Sequence, residues 1–270
     1  MSTPIPGPLI ARGRTAEVYA WQDKQVLKLF HAWCPPHWVE QEVNVGRVMA
    51  TKTLPTPKLI DTLKIADRQG IIYERVDGPS MLKLSNTRMW LVVRLARQLA
   101  ELHTQIHDQD GSGFPSLHSS LRSTIRQVES LPPDLKTAVL QQLDKLPDGN
   151  ALCHFDFHPG QVLLTTGSPV IIDWMTACHG HPLADVARTS IIFMVAQMPG
   201  ANWAMRAMVD LWRGLFHRTY IDRYLALHPG ISGDEITAWR IPVAAGRLKE
   251  GIPGEQEALL KFIRSHLHMD

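Results

Sequence analysis

The sequence predicts an α+β protein of two lobes: a small N-terminal lobe over residues 1–77, built on an antiparallel sheet with one main helix, and a larger, mostly helical C-terminal lobe over residues 78–270. Three observations predict it. From Leu9 to Val76, short apolar runs alternate with turn residues, as hairpins require. Gly78-Pro79 ends that pattern, because neither residue continues a strand or helix comfortably. Beyond it, apolar residues recur at helical spacing almost to the last residue.

In the first lobe, Glu17 to Trp21 and Gln25 to Phe30 read as a hairpin turning at Gln22-Asp23-Lys24. Lys58 to Ile65 and Ile71 to Val76 form a second one, whose connection ends at Gly70, a residue free to take positive φ. Between them Pro35-Pro36 opens a helix running to about Ala50, since the fixed φ of proline suits a first helical turn. In the second lobe, Met89 to His107 carries apolar residues around most of its circumference, as a helix at the centre of a domain does. Asp108 to Leu117 is a Gly/Ser/Asp-rich loop, and Leu121 to Leu131 and Leu135 to Leu146 are shorter amphipathic helices. Short strands flank the stretch around Asp156. After Pro182 follow helices at Leu183 to Gln197, Trp203 to Leu227, Gly233 to Arg247 and Glu255 to His268.

Composition bounds the function. At 270 residues and 44% hydrophobic the chain can bury a sizeable core. A formal charge of +2 is too near neutral to argue for a nucleic-acid or membrane partner. Cys34, Cys153 and Cys178 are far apart in sequence and form no C-x-x-C pair, so neither a disulfide framework nor a zinc knuckle is implied. The first residues lack the features of a signal peptide, and no apolar run has the length of a membrane span. The expected location is cytoplasmic.

Chemistry concentrates in Leu152-Cys153-His154-Phe155-Asp156-Phe157-His158-Pro159-Gly160-Gln161-Val162-Leu163-Leu164, followed by Val170-Ile171-Ile172-Asp173-Trp174. An acid, an amide side chain five residues on and an acid ending the next apolar run are what phosphoryl transfer needs. Asp156 would orient a substrate hydroxyl and accept its proton. Gln161 and Asp173 would hold Mg²⁺, which prefers hard oxygen ligands. His154 and His158 read as loop-bracing residues. An extended stretch would instead put His154, Asp156 and His158 on one face, where they could ligate zinc with Asp173 or His179.

Lys28 lies in a strand whose two faces both look buried, so it needs an anionic partner or an edge from which to reach water. Glu42 shares a helix face with Trp38, Val39, Val45, Gly46 and Met49, and is the obvious carboxylate for Lys28 unless the helix turns it to solvent. Gly13, Arg14 and Thr15 precede the first strand of the hairpin and could cradle phosphates, or could be an ordinary strand-entry turn. Asp185, in the first turn of the helix opened by Pro182, reads as structural: it would accept N–H bonds from the loop above it.

These residues resemble the aminoglycoside phosphotransferase family, within the protein-kinase-like superfamily that includes choline, homoserine and methylthioribose kinases. His154-Phe155-Asp156-Phe157-His158-Pro159-Gly160-Gln161 looks like its catalytic loop, Ile171-Ile172-Asp173 like its metal-binding acid, and Gly180-His181-Pro182-Leu183-Ala184-Asp185 like the helix that follows. The resemblance spans about residues 10 to 190 and implies a bilobal protein-kinase-like fold, with an N-terminal nucleotide-binding lobe and a C-terminal catalytic and substrate lobe. It places Gly13, Arg14 and Thr15 in the phosphate-covering loop, Lys28 on the phosphates, Glu42 as its ion-pair partner, and Glu74 to Val76 at the adenine hinge. The implied cofactors are ATP and Mg²⁺, and the implied partner is a small hydroxyl-bearing substrate. Three departures stand out: Phe155 where glycine is usual, Gln161 where asparagine is usual, and few glycines in the phosphate loop. A catalytically weak or inactive nucleotide-binding module and a zinc-dependent hydrolase are the alternatives. The acids after residue 190 are scattered, which disfavours the polycationic acceptors of aminoglycoside enzymes. Trp203, Trp212, Phe216, Tyr220 and Trp239 could wall a substrate or simply pack helices.

Overall fold

In the computed structural model, which describes residues 5–196 and 202–267, the hairpin signals become strands β1 (Leu9–Arg12), β2 (Ala16–Ala20), β3 (Gln25–Phe30), β4 (Leu59–Ile65) and β5 (Arg68–Glu74). They form an antiparallel sheet in the order β1-β2-β3-β5-β4. Period-two alternation sorts the side chains. Ala16, Phe30 and Ile71 pack with Val39 and Val43 of helix α1 (Pro36–Met49), while Leu27, Leu29 and Ile72 form a separate apolar cluster with Tyr19, Trp21, Leu63 and Ile65 packed against it. Pro36 sits at the start of α1, where its missing N–H costs nothing.

The second hairpin departs from expectation at its turn. Strand β5 begins at Arg68, and Ala66 takes the left-handed conformation (φ 52°). Gly70 lies inside the strand, opposite Leu29 and Leu63. It is needed there for closeness: a Cβ would stand 2.7 Å from Leu27 Cδ1.

The chain divides into two compact units, one of Met1–Leu84 with Pro159–Met175 and the other of Ser85–His158 with Thr176–Asp270. The first thus gains a short hairpin, β7 (Val162–Leu163) with β8 (Val170–Ile171), fastened by Leu164 N–H to Pro79 O (2.9 Å) and Ile171 N–H to Pro55 O (2.9 Å). Gly78 permits this approach, because a Cβ there would collide with the Leu164 carbonyl. Helix α2 (Met81–Thr87) follows.

The second unit contains α3 (Val92–His107), α4 (Leu117–Gln127), α5 (Pro133–Lys145), the strand pair β6 (Ala151–Cys153) and β9 (Cys178–Gly180), then α6 (Pro182–Val195), α7 (Trp203–Leu227), α8 (Gly233–Arg247) and α9 (Gln256–Leu267). Helix α3 packs on α7, and α6 on α8. Two expectations change. Met89 to Leu91 form a 3-10 turn with Trp90 77% exposed, so α3 buries one face (Leu95, Ala96, Leu99, Ala100, His103, Ile106) and is not apolar all round. Helix α4 starts four residues earlier than its apolar spacing suggested, because Ser116 Oγ caps it by accepting from Ser119 N–H at 3.2 Å. The expected helix ends at Gln197 and His268 lie outside the described residues.

Candidate active site

Within the first unit, β3, α1 and the segment after β8 converge on one ammonium. Lys28 Nζ donates to both oxygens of Glu42 (2.8 and 2.9 Å) and to Asp173 Oδ1 (2.8 Å). Glu42 is 3% exposed, so its place on an apolar helix face is explained by this pair, and the two readings in which Lys28 or Glu42 reaches water fall away. Burial by itself would lower the Lys28 pKa; the charges of Glu42 and Asp173 outweigh it and hold the amine above the ordinary lysine range. Tyr73, which sequence reasoning missed, donates its hydroxyl to Glu42 Oε1 at 2.9 Å. Burial, reinforced by Glu42, pushes its pKa well up, so it stays a donor. Its alternation with Ile71 on β5 is the one sequence signal that could have placed it on the α1 side.

Asp173 takes a left-handed backbone (φ 63°) and is 41% exposed at its side chain. The β7–β8 hairpin brings Gln161 beside it: Ile172 N–H donates to Gln161 O (2.9 Å), and Gln161 Nε2 lies 3.4 Å from Asp173 Oδ2. Amide nitrogen and oxygen are interchangeable by a half-turn, so the same position presents Oε1. One cation facing two carboxylates leaves an excess negative charge on hard oxygens, which is the donor set Mg²⁺ takes.

The other expected nucleotide-binding positions are in this unit too. Gly13, Arg14 and Thr15 form the turn between β1 and β2. Gly13 N–H closes it onto Ala16 O (2.8 Å), and Thr15 O accepts from His31 N–H (2.9 Å). Glu74 ends β5, its N–H bonded to Lys58 O (2.9 Å), and Val76 lies just beyond.

Asp156 belongs to the second unit, on the loop leaving β6. Helix α6 holds that loop by its main chain. Asp185, fully buried, accepts from His154 N–H (2.6 Å) and Phe155 N–H (2.9 Å), as expected of it. Thr189 Oγ1 donates to Phe157 O (2.8 Å), and Thr176 Oγ1 to His154 O (2.8 Å). His154, fully buried, accepts Asp156 N–H at Nδ1 (3.3 Å), the bracing role assigned to it. Phe155 has φ 59°, which breaks the extended alternation the zinc reading required. Among the described residues, the group of three His, Cys, Asp or Glu ligand atoms within 4.8 Å of one another is His103, His107 and Asp185, not His154, Asp156 and His158.

That buried trio is a polar network. His103 Nε2 lies 3.1 Å from Asp185 Oδ2, off the line of a good hydrogen bond, and His107 Nε2 lies 3.4 Å from the same oxygen. Their Nδ1 atoms meet the Tyr220 hydroxyl (2.6 Å) and the Tyr224 hydroxyl (2.8 Å). Burial would raise the Asp185 pKa, but the two histidines hold it far below the usual carboxylate range. Burial and neighbouring His103 lower His107 to about 4, and burial with Arg240 lowers His217 to about 4. Both imidazoles are therefore neutral when folded and gain protons on unfolding below the ordinary histidine value of 6.5. Their contribution is complete above that value and is lost as pH falls toward 4, with a limit on the order of 3 kcal/mol per group. The thermal midpoint is expected to fall steadily between pH 6.5 and 4; a flat midpoint would contradict the buried neutral state. Asp185 titrates below this window and does not mask it.

Of the suggested aromatic wall, Phe216, Tyr220 and Trp239 are buried at helix contacts, and Trp203 is 84% exposed.

Comparison with known proteins comes down on one side. No curated protein matches the sequence. The fold is shared with solved structures: a thermostable mutant of aminoglycoside phosphotransferase APH(4)-Ia in complex with AMP-PNP and hygromycin B (18% identity, 97% of this chain and 92% of that one, TM-score 0.66), and the amicoumacin kinase hAmiN with AMP-PNP and Ca²⁺ (16%, 96% and 87%, 0.59). It is also shared with a choline/ethanolamine kinase family protein from Mesorhizobium loti (16%, 97% and 87%, 0.58). The fold is thus the kinase-like one, and residues 7–226 match the phosphotransferase enzyme family (APH). The chain belongs to that family.

Proposed function

We propose that the protein transfers the γ-phosphate of ATP to a hydroxyl of a small molecule, in the cytoplasm. The observation that carries this reading is the Lys28 ammonium fixed between Glu42 and Asp173. Phosphoryl transfer depends on positioning and charge compensation, and a lysine held this rigidly is a fixed counter-charge for phosphate oxygens. Lys28 holds the α/β-phosphates, and Glu42, braced by Tyr73, keeps Lys28 in place. The turn at Gly13, Arg14 and Thr15 covers the phosphates, and the main chain from Glu74 to Val76 receives adenine. Asp173 and Gln161 hold Mg²⁺, which when bound neutralises charge on the phosphates. Asp156 orients the acceptor hydroxyl and takes its proton. Residues 1–77 form the nucleotide-binding lobe, and residues 78–270 carry the catalytic loop and the metal-holding Gln161 and Asp173 and receive the acceptor.

The acceptor is not expected to be a dense polycation. After residue 190, Glu250 is paired with Arg188 and Glu255 with Arg247, Asp210 lies on Arg213, and Glu235 caps α8. These carboxylates are already matched by cations or N–H groups, so they add little attraction for amines. Screening hydroxyl-bearing metabolites and antibiotics, including hygromycin B, amicoumacin and choline, for Mg²⁺-dependent ADP formation tests the reading. At least one neutral or singly charged acceptor is expected to yield ADP. A metal analysis that found stoichiometric zinc, with turnover indifferent to Lys28→Ala, would sink it.

A further inference from the structure

Phe155 poses a problem that the proposed function leaves open: a bulky residue stands in the left-handed conformation (φ 59°) immediately before Asp156. Bulky L-residues resist that conformation, which glycine adopts freely and asparagine or aspartate more readily, so something must hold it. Arg188 of α6 touches Phe155 in two ways and Asp156 in a third. Its Nε donates to Phe155 O (3.2 Å), its guanidinium lies over the Phe155 ring (5.6 Å to the centroid), and its Nη2 stands 3.7 Å from Asp156 Oδ1. The same Nη2 is anchored by Glu250 Oε1, and Glu250 is tied in turn to Arg247, which pairs with the buried Glu255. The Arg188 side chain is only 7% exposed, so the fork has little freedom to leave.

We infer that Arg188 is a positioning residue made necessary by Phe155: it clamps the strained peptide and thereby aims the Asp156 carboxylate. The planar fork fits the task because one group must reach a carbonyl, a ring face and two carboxylates at once. A lysine supplies the charge but not the fork. The inference rests on Asp156 being the residue that serves the acceptor hydroxyl, so its test has one arm independent of turnover.

In the full-length protein, Arg188→Ala is expected to speed hydrogen exchange of the amides from His154 to Phe157 by at least ~10-fold, read by mass spectrometry. With Mg·ATP and an acceptor found in the screen, kcat falls ~30-fold while the KM for ATP stays within ~2-fold, because aim is lost and nucleotide contacts are not. Arg188→Lys is expected to remain as impaired as Arg188→Ala. In a Phe155→Gly background, where the left-handed conformation is unstrained, removing Arg188 costs less than ~3-fold in kcat and hardly alters exchange. Arg188→Lys and the double variant carry the test if Arg188→Ala does not fold. Rescue by lysine, an equal loss in both backgrounds, or unchanged exchange overturns the clamp. If no acceptor is phosphorylated, the proposed function fails while the exchange arm still decides the clamp.

Discussion

Asp156→Asn is expected to bind Mg·ATP with the wild-type dissociation constant and to form ADP at least ~10²-fold more slowly in the presence of an accepted hydroxyl substrate. The substitution keeps shape and removes only the charge that receives a proton. The loop does not depend on that charge for its path: Asp185, Thr176 and Thr189 grip it through the main-chain atoms of His154, Phe155 and Phe157. Stability should therefore change little, and a loss confined to kcat reports chemistry and not misfolding. Calorimetric nucleotide titration with an ADP-release assay reads both quantities. Wild-type turnover by this variant would remove Asp156 from the mechanism.

The second large effect is expected at Asp173→Asn. Asparagine tolerates φ near 63° better than most residues, so the backbone is preserved, and Glu42 still holds Lys28 through two hydrogen bonds. What disappears is the negative charge beside Gln161. A ligand at 100 times its Kd stabilises a protein by ~2.7 kcal/mol, which for a chain of this size is a rise of ~5–10 °C in Tm. Wild type should show that rise with ATP and Mg²⁺ together, and Asp173→Asn should show almost none. An undiminished, Mg²⁺-dependent rise in the variant would place the metal elsewhere.

Much of this was legible in the chain, because the relevant signals are local. Pro35-Pro36 announces α1 and an acid on its apolar stripe announces a buried partner. The His154-to-Gln161 stretch announces a polar loop between strands. Asp185 was placed correctly because a first-turn acid has few other uses. The misses share a different cause. Tyr73 became part of the lysine site through strand register, which no single strand encodes. Trp90 was assigned to a helix interior because periodicity does not say where a 3-10 turn gives way to an α-helix. Gly70 was read as a turn residue when its purpose is the approach of Leu27.

Residue types and the order of elements can be read along the chain: a strand lysine, a helical glutamate, an aspartate loop and a final acid, each set by spacing within a few residues. That Asp173 shares Lys28 with Glu42, that Tyr73 donates to the same glutamate, and that Arg188 bonds the Phe155 carbonyl emerge once the elements pack. The reason is physical. Periodicity and capping are nearest-neighbour effects written along the chain, whereas the pairing of buried charges depends on which distant groups share a desolvated space, and that is settled when the elements pack.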